Sequence, residues 1–444
     1  MTTELPADLG GGLVLRRAAR DDAEALGDFN ARTHGGDDPD EKIRAWALDL
    51  AEGRHPVFVP EDFLVVVDAA TGAIVSSMNL IAQTWSYGGV EFGVGQVELV
   101  GTDRAYRRRG LVRRQFDVAH RWCAERGLPV QAIEGIPWYY RQFGYEYGIV
   151  DWSGRSAARF PDVPADGAFR VRPATAADLP LLARMGAQAA ERALISVVRD
   201  EAAWRHELDG HREQSIVRHA VEIIEIIETG ETGGTGGGRP VGALVRLPRL
   251  LGSSVAVRLC ELEPGCSWLD AGGAVLRHLA DVGAALATGD QPFRAVEFGL
   301  GADHPLYAAH PRLLVTPFAV YAWYLRVPDL AGFLLRIAPV LERRLAASPV
   351  AGYTGGLRLN FYTDGLRLEF DSGRLITAEP WREDGHDAAG ASFPGLAFLQ
   401  VLFGHRSVHE IQHVLPDCRC DDERTEVLLH ACFPKGSATV WHIG

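Results

Sequence analysis

The segment from Gly95 to Gly148 constrains the fold most, because its hydrophobic pattern changes from strand to helix across a strongly basic turn. A β-prone run at Val97, Leu99 and Val100 precedes the turn, and the helix predicted after it has apolar residues three and four positions apart. A helix N-terminus presents unpaired N–H groups and a partial positive charge, and three adjacent arginines add to that charge. The segment therefore predicts a phosphate or pyrophosphate site at the turn.

The turn reads Arg107-Arg108-Arg109-Gly110-Leu111-Val112 and differs from the two commonest phosphate loops, GxxxxGK(S/T) and GxGxxG after a strand. It resembles motif A of the GNAT superfamily of N-acetyltransferases, with valine where the family prefers a smaller residue. The resemblance implies that the pyrophosphate of acetyl-CoA binds at Arg107, Arg108, Arg109, Gly110 and Leu111. It also implies that the pantetheine arm meets backbone groups of Val100 and Thr102. The alternative is a basic surface turn that only begins a helix.

An aromatic segment, Trp138-Tyr139-Tyr140-Arg141-Gln142-Phe143-Gly144-Tyr145, follows the predicted strand Val130 to Ile133. Its Tyr-x-x-Phe-Gly-Tyr core resembles that of the enhanced intracellular survival proteins. This match places Tyr140 in the position of a general acid, where a phenol of pKa about 10 can protonate a departing thiolate. The alternative is that Tyr140 is a buried hydroxyl with a backbone partner, among core aromatics such as Trp138 and Phe143.

The composition indicates a multi-domain globular protein. The chain has 444 residues, more than a single hydrophobic core usually serves. Of these residues 47% are hydrophobic and 23% are charged, which is typical of globular proteins. No apolar run reaches the length of a membrane span and the N-terminus lacks the pattern of a signal peptide, so a cytoplasmic location is predicted. The net charge of -13 argues against nucleic acid and membrane partners and favours a cationic small-molecule amine as substrate.

The cysteines and histidines near the C-terminus do not have the spacing of a zinc site. Cys418 and Cys420 are separated by one residue, unlike the usual zinc knuckle, and Ser407 with Glu410 fits a capping box that leaves His405 outside the helix. We therefore predict no metal site, and the scattered cysteines predict no disulfide framework.

A short internal repeat predicts two related units. Leu15-Arg16-Arg17-Ala18 with Asp22 and Leu26 is echoed by Val171-Arg172-Pro173-Ala174 with Asp178 and Leu182. The second copy has a predicted helix opening at Asp270 with no basic cluster, so it is expected to bind no coenzyme A. We expect domains at 1–160, 161–327 and 328–444.

The last of these begins with one amphipathic helix from Leu330 to Ala347, followed by a strand meander and further helices. This order resembles the sterol-carrier-protein-like domain of the enhanced intracellular survival family. The resemblance thus implies an α/β (α+β) fold of two tandem GNAT-like mixed-sheet units, the second degenerate, before that domain. It also implies a homo-oligomer, trimeric or hexameric.

Proteins of the enhanced intracellular survival family use their C-terminal carboxylate to help deprotonate the amine. The resemblance therefore implies that the carboxylate of Gly444 lies in the active site beside Tyr140. His442 is a competing base, and a purely structural edge strand is the third interpretation. We expect an acetyl-CoA-dependent N-acetyltransferase that uses direct attack by a primary amine of a cationic small molecule or a lysine side chain. The alternatives are an N-acyltransferase with a longer acyl-CoA and a non-catalytic small-molecule-binding protein.

Overall fold

A computed structural model describes residues 4–162, 167–229, 235–319, 321–383 and 390–441. The N-terminal unit contains β1 (Ala7–Gly10), β2 (Leu13–Arg17), α1 (Ala23–His34), α2 (Glu41–Ala51), β3 (Phe63–Asp68), β4 (Ile74–Tyr87), β5 (Val90–Thr102), α3 (Leu111–Glu125), β6 (Val130–Ile133), β7 (Glu146–Val150) and β8 (Ser153–Ala157). Neighbouring strands from β1 to β5 pair antiparallel, whereas β5 and β6 pair parallel. Helix α3 forms the crossover between the two parallel strands, and it buries the apolar face predicted from its spacing.

The second unit follows the same plan of strand, helix, long antiparallel hairpin and parallel crossover. It contains β9 (Phe169–Pro173), α4 (Leu179–Arg192), β10 (Ile195–Val197), α5 (Glu201–Asp209), β11 (Ala220–Thr229), β12 (Thr235–Leu251), β13 (Ser254–Leu262), α6 (Trp268–Leu286), β14 (Ala295–Phe298), α7 (Pro305–Ala309), β15 (Thr316–Ala319) and β16 (Ala322–Arg326). Helix α6 begins two residues before Asp270, because Ser267 is its N-cap and accepts a bond from the Asp270 N–H at 3.3 Å. The mixed α/β fold expected from the sequence is confirmed.

The two units share an arginine–aspartate contact at the predicted repeat. In the first, Arg16 donates two bonds to the carboxylate of Asp22, at 2.7 and 2.8 Å, and in the second Arg172 donates two to Asp178, both at 2.8 Å. Each aspartate also accepts a backbone N–H at the start of the following helix. The repeated sequence therefore encodes a strand-to-helix corner, which explains why it is in register in both copies.

The two units exchange a strand. The first sheet has the order β1-β2-β3-β4-β5-β6-β16-β7, so β16 of the second unit enters it. The second has the order β15-β8-β14-β13-β12-β11-β9, so β8 enters it from the first unit. Each sheet is thus completed by a strand that lies far away in sequence, and the domain limits at 160 and 327 remain a proposal.

The C-terminal region contains α8 (Leu330–Arg336), α9 (Ala338–Ala346), β17 (Gly355–Asn360), β18 (Gly365–Asp371), β19 (Arg374–Pro380), β20 (Ala391–Ser392), α10 (Phe398–Leu402), α11 (Val408–Val414), β21 (Arg419–Cys420), α12 (Glu423–Cys432) and β22 (Ala438–Thr439). The single helix expected from Leu330 to Ala347 is wrong: α8 and α9 meet at Ile337, because Pro339 lacks the N–H that a continuous helix needs. The apolar core of this region is continuous with that of the first sheet, where Phe333 packs against Phe92 at 5.2 Å between ring centres. Within the described residues, no helix has the length and apolar character needed to cross a membrane.

Candidate active site

A cavity of about 850 Å³ lies where β5 and β6 separate. The two strands pair in parallel only as far as Gln96 and Ala132. Beyond that point the pairing of β4 with β5 is irregular, and Leu99 has a φ of 50°, which bulky residues rarely adopt. A bulge of this kind bends a strand, so the diverging strands leave room for a ligand. Pockets for small molecules usually measure about 300 to 1,000 Å³.

The basic turn forms one end of the cavity. Gly110 is the N-cap of α3 with φ 75° and ψ 12°, a left-handed conformation that glycine adopts without strain. In the part of the chain that the structure describes, no side chain makes an N-cap hydrogen bond to this helix. A Cβ atom built on Gly110 would meet no atom within 4 Å, so the space above these N–H groups is open. The helix therefore presents its N-terminal N–H groups to the cavity, as an anion site requires.

The arginines of the turn are placed differently. Arg107 and Arg108 line the cavity together with Arg113, which sequence reasoning missed because it lies one helical turn further on. Arg109 does not line it: its guanidinium lies 4.9 Å from the ring centre of Tyr106 and donates to the Ala105 carbonyl at 3.4 Å. Three positive charges thus remain at the open helix end.

The other residues expected to contact acetyl-CoA also line the cavity. Leu111 lies at the start of α3, and Val100 and Thr102 lie on β5 beyond the part that pairs with β6. The Thr102 carbonyl accepts a bond from Arg107 Nε at 3.2 Å, and its hydroxyl is 2.9 Å from that of Ser76. The contact to Arg107 holds the basic turn against the end of β5.

Tyr140 lies in the same cavity, on the short 3₁₀ turn Tyr139–Phe143. Its side chain is 3% exposed and packs edge-on against Phe116 of α3 and Tyr324 of β16. Burial raises the pKa of the Tyr140 phenol, and nearby Glu98 raises it further. Among the described residues the hydroxyl has no hydrogen-bond partner, and it is 3.8 Å from the position that a Cβ atom on Gly135 would take. Tyr140 therefore carries a protonated hydroxyl at neutral pH.

Glu98 is the acidic side chain of the cavity that sequence reasoning missed. It is 8% exposed and accepts a bond from Gln96 at 2.8 Å, and Gln96 in turn accepts one from Gln83 at 2.5 Å. Trp85 donates to Gln83 at 3.2 Å, so a chain of buried polar side chains leads to the Glu98 carboxylate. The signal in the sequence is the alternation of polar residues along a strand that is otherwise apolar, with Gln96 and Glu98 on one face.

Helices α1 and α2 form another wall of the cavity. Thr33, His34, Ile43 and Trp46 contribute to this wall. Burial lowers the pKa of His34, so its imidazole is neutral at pH 7. A site with a cationic end, a buried carboxylate and a partly apolar wall fits a molecule such as coenzyme A, which has a phosphorylated end and a long uncharged arm.

The C-terminal residues Gly444 and His442 lie outside the described residues. The last described residue, Trp441, is 4% exposed, and its carbonyl accepts a bond from Arg199 at 2.8 Å. Strand β22 pairs parallel with β10, which pairs with β4 of the first sheet. The last described strand is thus one strand away from β4, and Trp441 packs against Trp204 and His219 of the second unit. The role of Gly444 stays a prediction.

Comparison with known proteins identifies the domain and the fold. Residues 14–148 match the family described as an acetyltransferase (GNAT) domain, and no curated protein matches the chain. A probable N-acyltransferase from Enterococcus faecalis V583, a conserved protein of unknown function, is similar in structure, with a TM-score of 0.65 and 13% identity over 97% of this chain and 100% of that one. A GCN5-related N-acetyltransferase from Kribbella flavida is similar in structure too, with a TM-score of 0.62 and 16% identity over 97% of this chain and 98% of that one.

Eis1 from Mycobacterium abscessus is also similar, with a TM-score of 0.56 and 16% identity over 97% of this chain and 100% of that one. At these identities the structural likeness concerns the fold, whereas the domain match covers the strands, the basic turn and Tyr140. Residues 14–148 match an acetyltransferase (GNAT) domain, and this match identifies the protein as an acyltransferase.

Proposed function

We propose that the protein transfers an acetyl group from acetyl-CoA to a primary amine of a cationic small molecule, such as an aminoglycoside or a polyamine, or to a lysine side chain. The observation that carries this proposal is that one cavity contains a helix N-terminus with arginines and the buried phenol of Tyr140, which has no hydrogen-bond partner among the described residues. The helix N-terminus can bind the phosphates of acetyl-CoA, and the phenol can donate a proton to the departing thiolate. Acetyl transfer from acetyl-CoA uses both functions.

In this proposal the amine attacks the thioester directly, and residues of the cavity assist that step. Acetyl-CoA supplies the activated acetyl group as a thioester. Arg107, Arg108 and the N–H groups after Gly110 hold its pyrophosphate, and Val100 and Thr102 orient its arm. As the carbon–nitrogen bond forms and the carbon–sulfur bond breaks, Tyr140 gives its proton to the sulfur.

A base must remove a proton from the amine, because an alkylammonium of pKa about 10 is almost wholly protonated at neutral pH. Glu98 is suited to this role, since its carboxylate is buried in the cavity close enough to influence the pKa of Tyr140. The carboxylate of Gly444 is the second candidate, by resemblance to the enhanced intracellular survival family. The buried negative charge of Glu98 also favours a cationic acceptor over an anionic one.

The alternative of a non-catalytic protein that holds an apolar ligand in its C-terminal region has less support. Phe361, Phe393, Phe398 and Phe433 fill the interior of this region with ring centres 5.3 to 5.9 Å apart. Its resemblance to a sterol-carrier-protein-like domain therefore concerns the order of elements. A longer acyl-CoA remains the second candidate substrate, and acetyl-CoA can be compared with longer thioesters on the same amine.

Thiol release across polyamines, aminoglycosides, arylamines and lysine peptides tests the reaction and identifies the acceptor. Calorimetry of acetyl-CoA binding tests the site. Replacing Arg107 and Arg108 together by alanine should weaken binding by about 1 to 3 kcal/mol, because charge-assisted contacts to phosphate are lost. Arg109→Ala is the matched control, since its guanidinium rests on Tyr106. Equal losses in both proteins, or none in either, would remove the basic turn from the site.

A further inference from the structure

Helices α11 and α12 place three potential metal ligands side by side, far from the acetyltransferase cavity in sequence. The capping box expected from the sequence fixes the start of α11, with Ser407 Oγ accepting from the Glu410 N–H at 3.1 Å, so His409 lies in the first turn. Asp422 caps α12 by accepting from the Thr425 N–H at 2.9 Å. Glu426 and His430 are four residues apart in α12 and therefore share one face.

The three side chains converge. A ligand atom from each of His409, Glu426 and His430 lies within 4.8 Å of the other two. His409 Nδ1 lies 3.3 Å from Glu426 Oε1, and the two imidazole rings are 4.4 Å apart between centres. Donors around a tetrahedral zinc ion, with bonds of about 2.0 to 2.1 Å, are separated by roughly 3.4 Å. Small side-chain rotations therefore bring all three onto one ion.

The hydrogen bonding of His430 provides an independent observation. Its Nδ1 lies 2.8 Å from the Glu426 carbonyl oxygen, which can only accept, so Nδ1 carries the proton. The lone pair is then on Nε2, and that atom is shielded from solvent with no hydrogen-bond partner among the described residues. Metal-bound histidines commonly donate their other ring N–H to a carbonyl in this way, which fixes the tautomer and the ring orientation.

We propose that His409, Glu426 and His430 bind a divalent transition metal ion of the zinc class and thereby join α11 to α12. Two imidazoles and one carboxylate are ligands that zinc, cobalt and nickel accept, and water completes the coordination. Sequence reasoning missed this set because His409 and Glu426 lie on different helices with no motif spacing between them. The site is separate from acetyl transfer, so its test does not depend on the acceptor amine.

The test uses untagged full-length protein treated with a chelator and dialysed, then titrated with Zn²⁺ in a calorimeter and with Co²⁺ under visible absorption. The wild type should bind one equivalent at this site with a rise in melting temperature. His430→Ala and Glu426→Gln should each weaken Zn²⁺ binding by about tenfold or more. His413→Ala is the matched control, because His413 is exposed on α11 outside the cluster, and it should bind as the wild type does.

Circular dichroism of the metal-free variants checks that each is folded. Wild-type affinity in folded His430→Ala, or no stoichiometric binding by the wild type, would overturn the proposal. An equal loss in His413→Ala would also overturn it, because the binding would then belong to surface histidines in general.

Discussion

Replacing Tyr140 by phenylalanine tests the assignment of the proton donor most directly. The substitution keeps the ring contacts to Phe116 and Tyr324 and removes only a hydroxyl that has no partner among the described residues. The free energy of unfolding should therefore change by no more than about 0.5 kcal/mol. General-acid catalysis contributes roughly 10² to 10⁴-fold, so kcat should fall by that factor, which is about 3 to 5 kcal/mol of transition-state stabilisation. The affinity for acetyl-CoA should stay the same.

Two neighbouring tyrosines make this test selective. Tyr139 also lines the cavity, and Tyr139→Phe should keep most of the activity. The Tyr324 hydroxyl instead donates to Tyr147 Oη at 2.8 Å and accepts from the Trp138 N–H at 2.6 Å, so Tyr324→Phe should lower stability by about 1 to 3 kcal/mol. Steady-state kinetics with a saturating amine and denaturant unfolding measure the two effects. A Tyr140→Phe protein within about twofold of the wild type in kcat would mean that another group protonates the thiolate.

The pH profile adds a second, independent measurement. The pKa of Tyr140 is raised by burial, so the protonated form that donates is present throughout the range below pH 10. No loss of kcat between pH 7 and 10 should therefore come from Tyr140. A descending limb below pH 10 that disappears in Tyr140→Phe would show a lowered pKa and would contradict the reasoning from burial.

A chain extension and two substitutions test other parts of the structure. Extending the chain beyond Gly444 by a short tag should abolish turnover and leave acetyl-CoA binding intact if its carboxylate takes part, whereas full activity in the tagged protein would exclude that role. Asp178→Asn should lower the free energy of unfolding at pH 7 by about 2 kcal/mol, because Arg172 loses a doubly bonded partner. Arg172 holds the pKa of Asp178 at about 2, so this stabilisation is present above pH 4 and is lost as the pH falls through 2, where variant and wild type should converge in urea unfolding. Asp22→Asn is the parallel variant, with a smaller expected loss because its carboxylate is more exposed.

Local patterns were sufficient to predict the elements that build the site. The basic turn, the amphipathic α3 and the capping box at Ser407 each depend on residues within a few positions of one another, and all are present. The repeat was recognisable for the same reason, because the bond between Arg16 and Asp22 spans only six residues. Side-chain chemistry and spacing are enough where the partners are neighbours in sequence.

Features that depend on distant pairing could not be predicted in the same way. No sequence pattern near β8 or β16 indicates which sheet either strand joins. Both are short β-prone runs that could equally complete the sheet of their own unit. No sequence pattern indicates the irregular pairing around Leu99, beside which Glu98 lines the cavity. Arg113 was missed since the motif ends before it, although helical geometry places it on the same side as the turn.

A comparison of the two units shows which features of the candidate active site belong to the first unit alone. In the second unit Glu261 forms an ion pair with Arg192 and lies beside the neutral imidazole of His304, in a pocket of only about 20 Å³. A neighbouring cavity of about 560 Å³ is lined by Tyr307. Helix α6 of the second unit is capped by Ser267 and begins with Asp270 instead of arginines. Tyr307 occupies the place of Tyr140 in the repeat, but its hydroxyl donates to the Phe298 carbonyl at 2.8 Å. A capped helix end without arginines and a satisfied phenol thus distinguish the second unit from the first.

The exchanged strand gives this second unit a role that does not require catalysis. β16 leaves the second unit, enters the first sheet between β6 and β7, and carries Tyr324 against Tyr140 at 5.6 Å between ring centres. The Tyr324 hydroxyl fixes the Trp138 N–H at the start of the 3₁₀ turn that carries Tyr140, and Tyr321, just before the strand, donates to the Gly135 carbonyl. Because these contacts surround the proposed acid, the second unit can shape the active site without a ligand of its own. This packing gives the second unit a structural role at the cavity of the first.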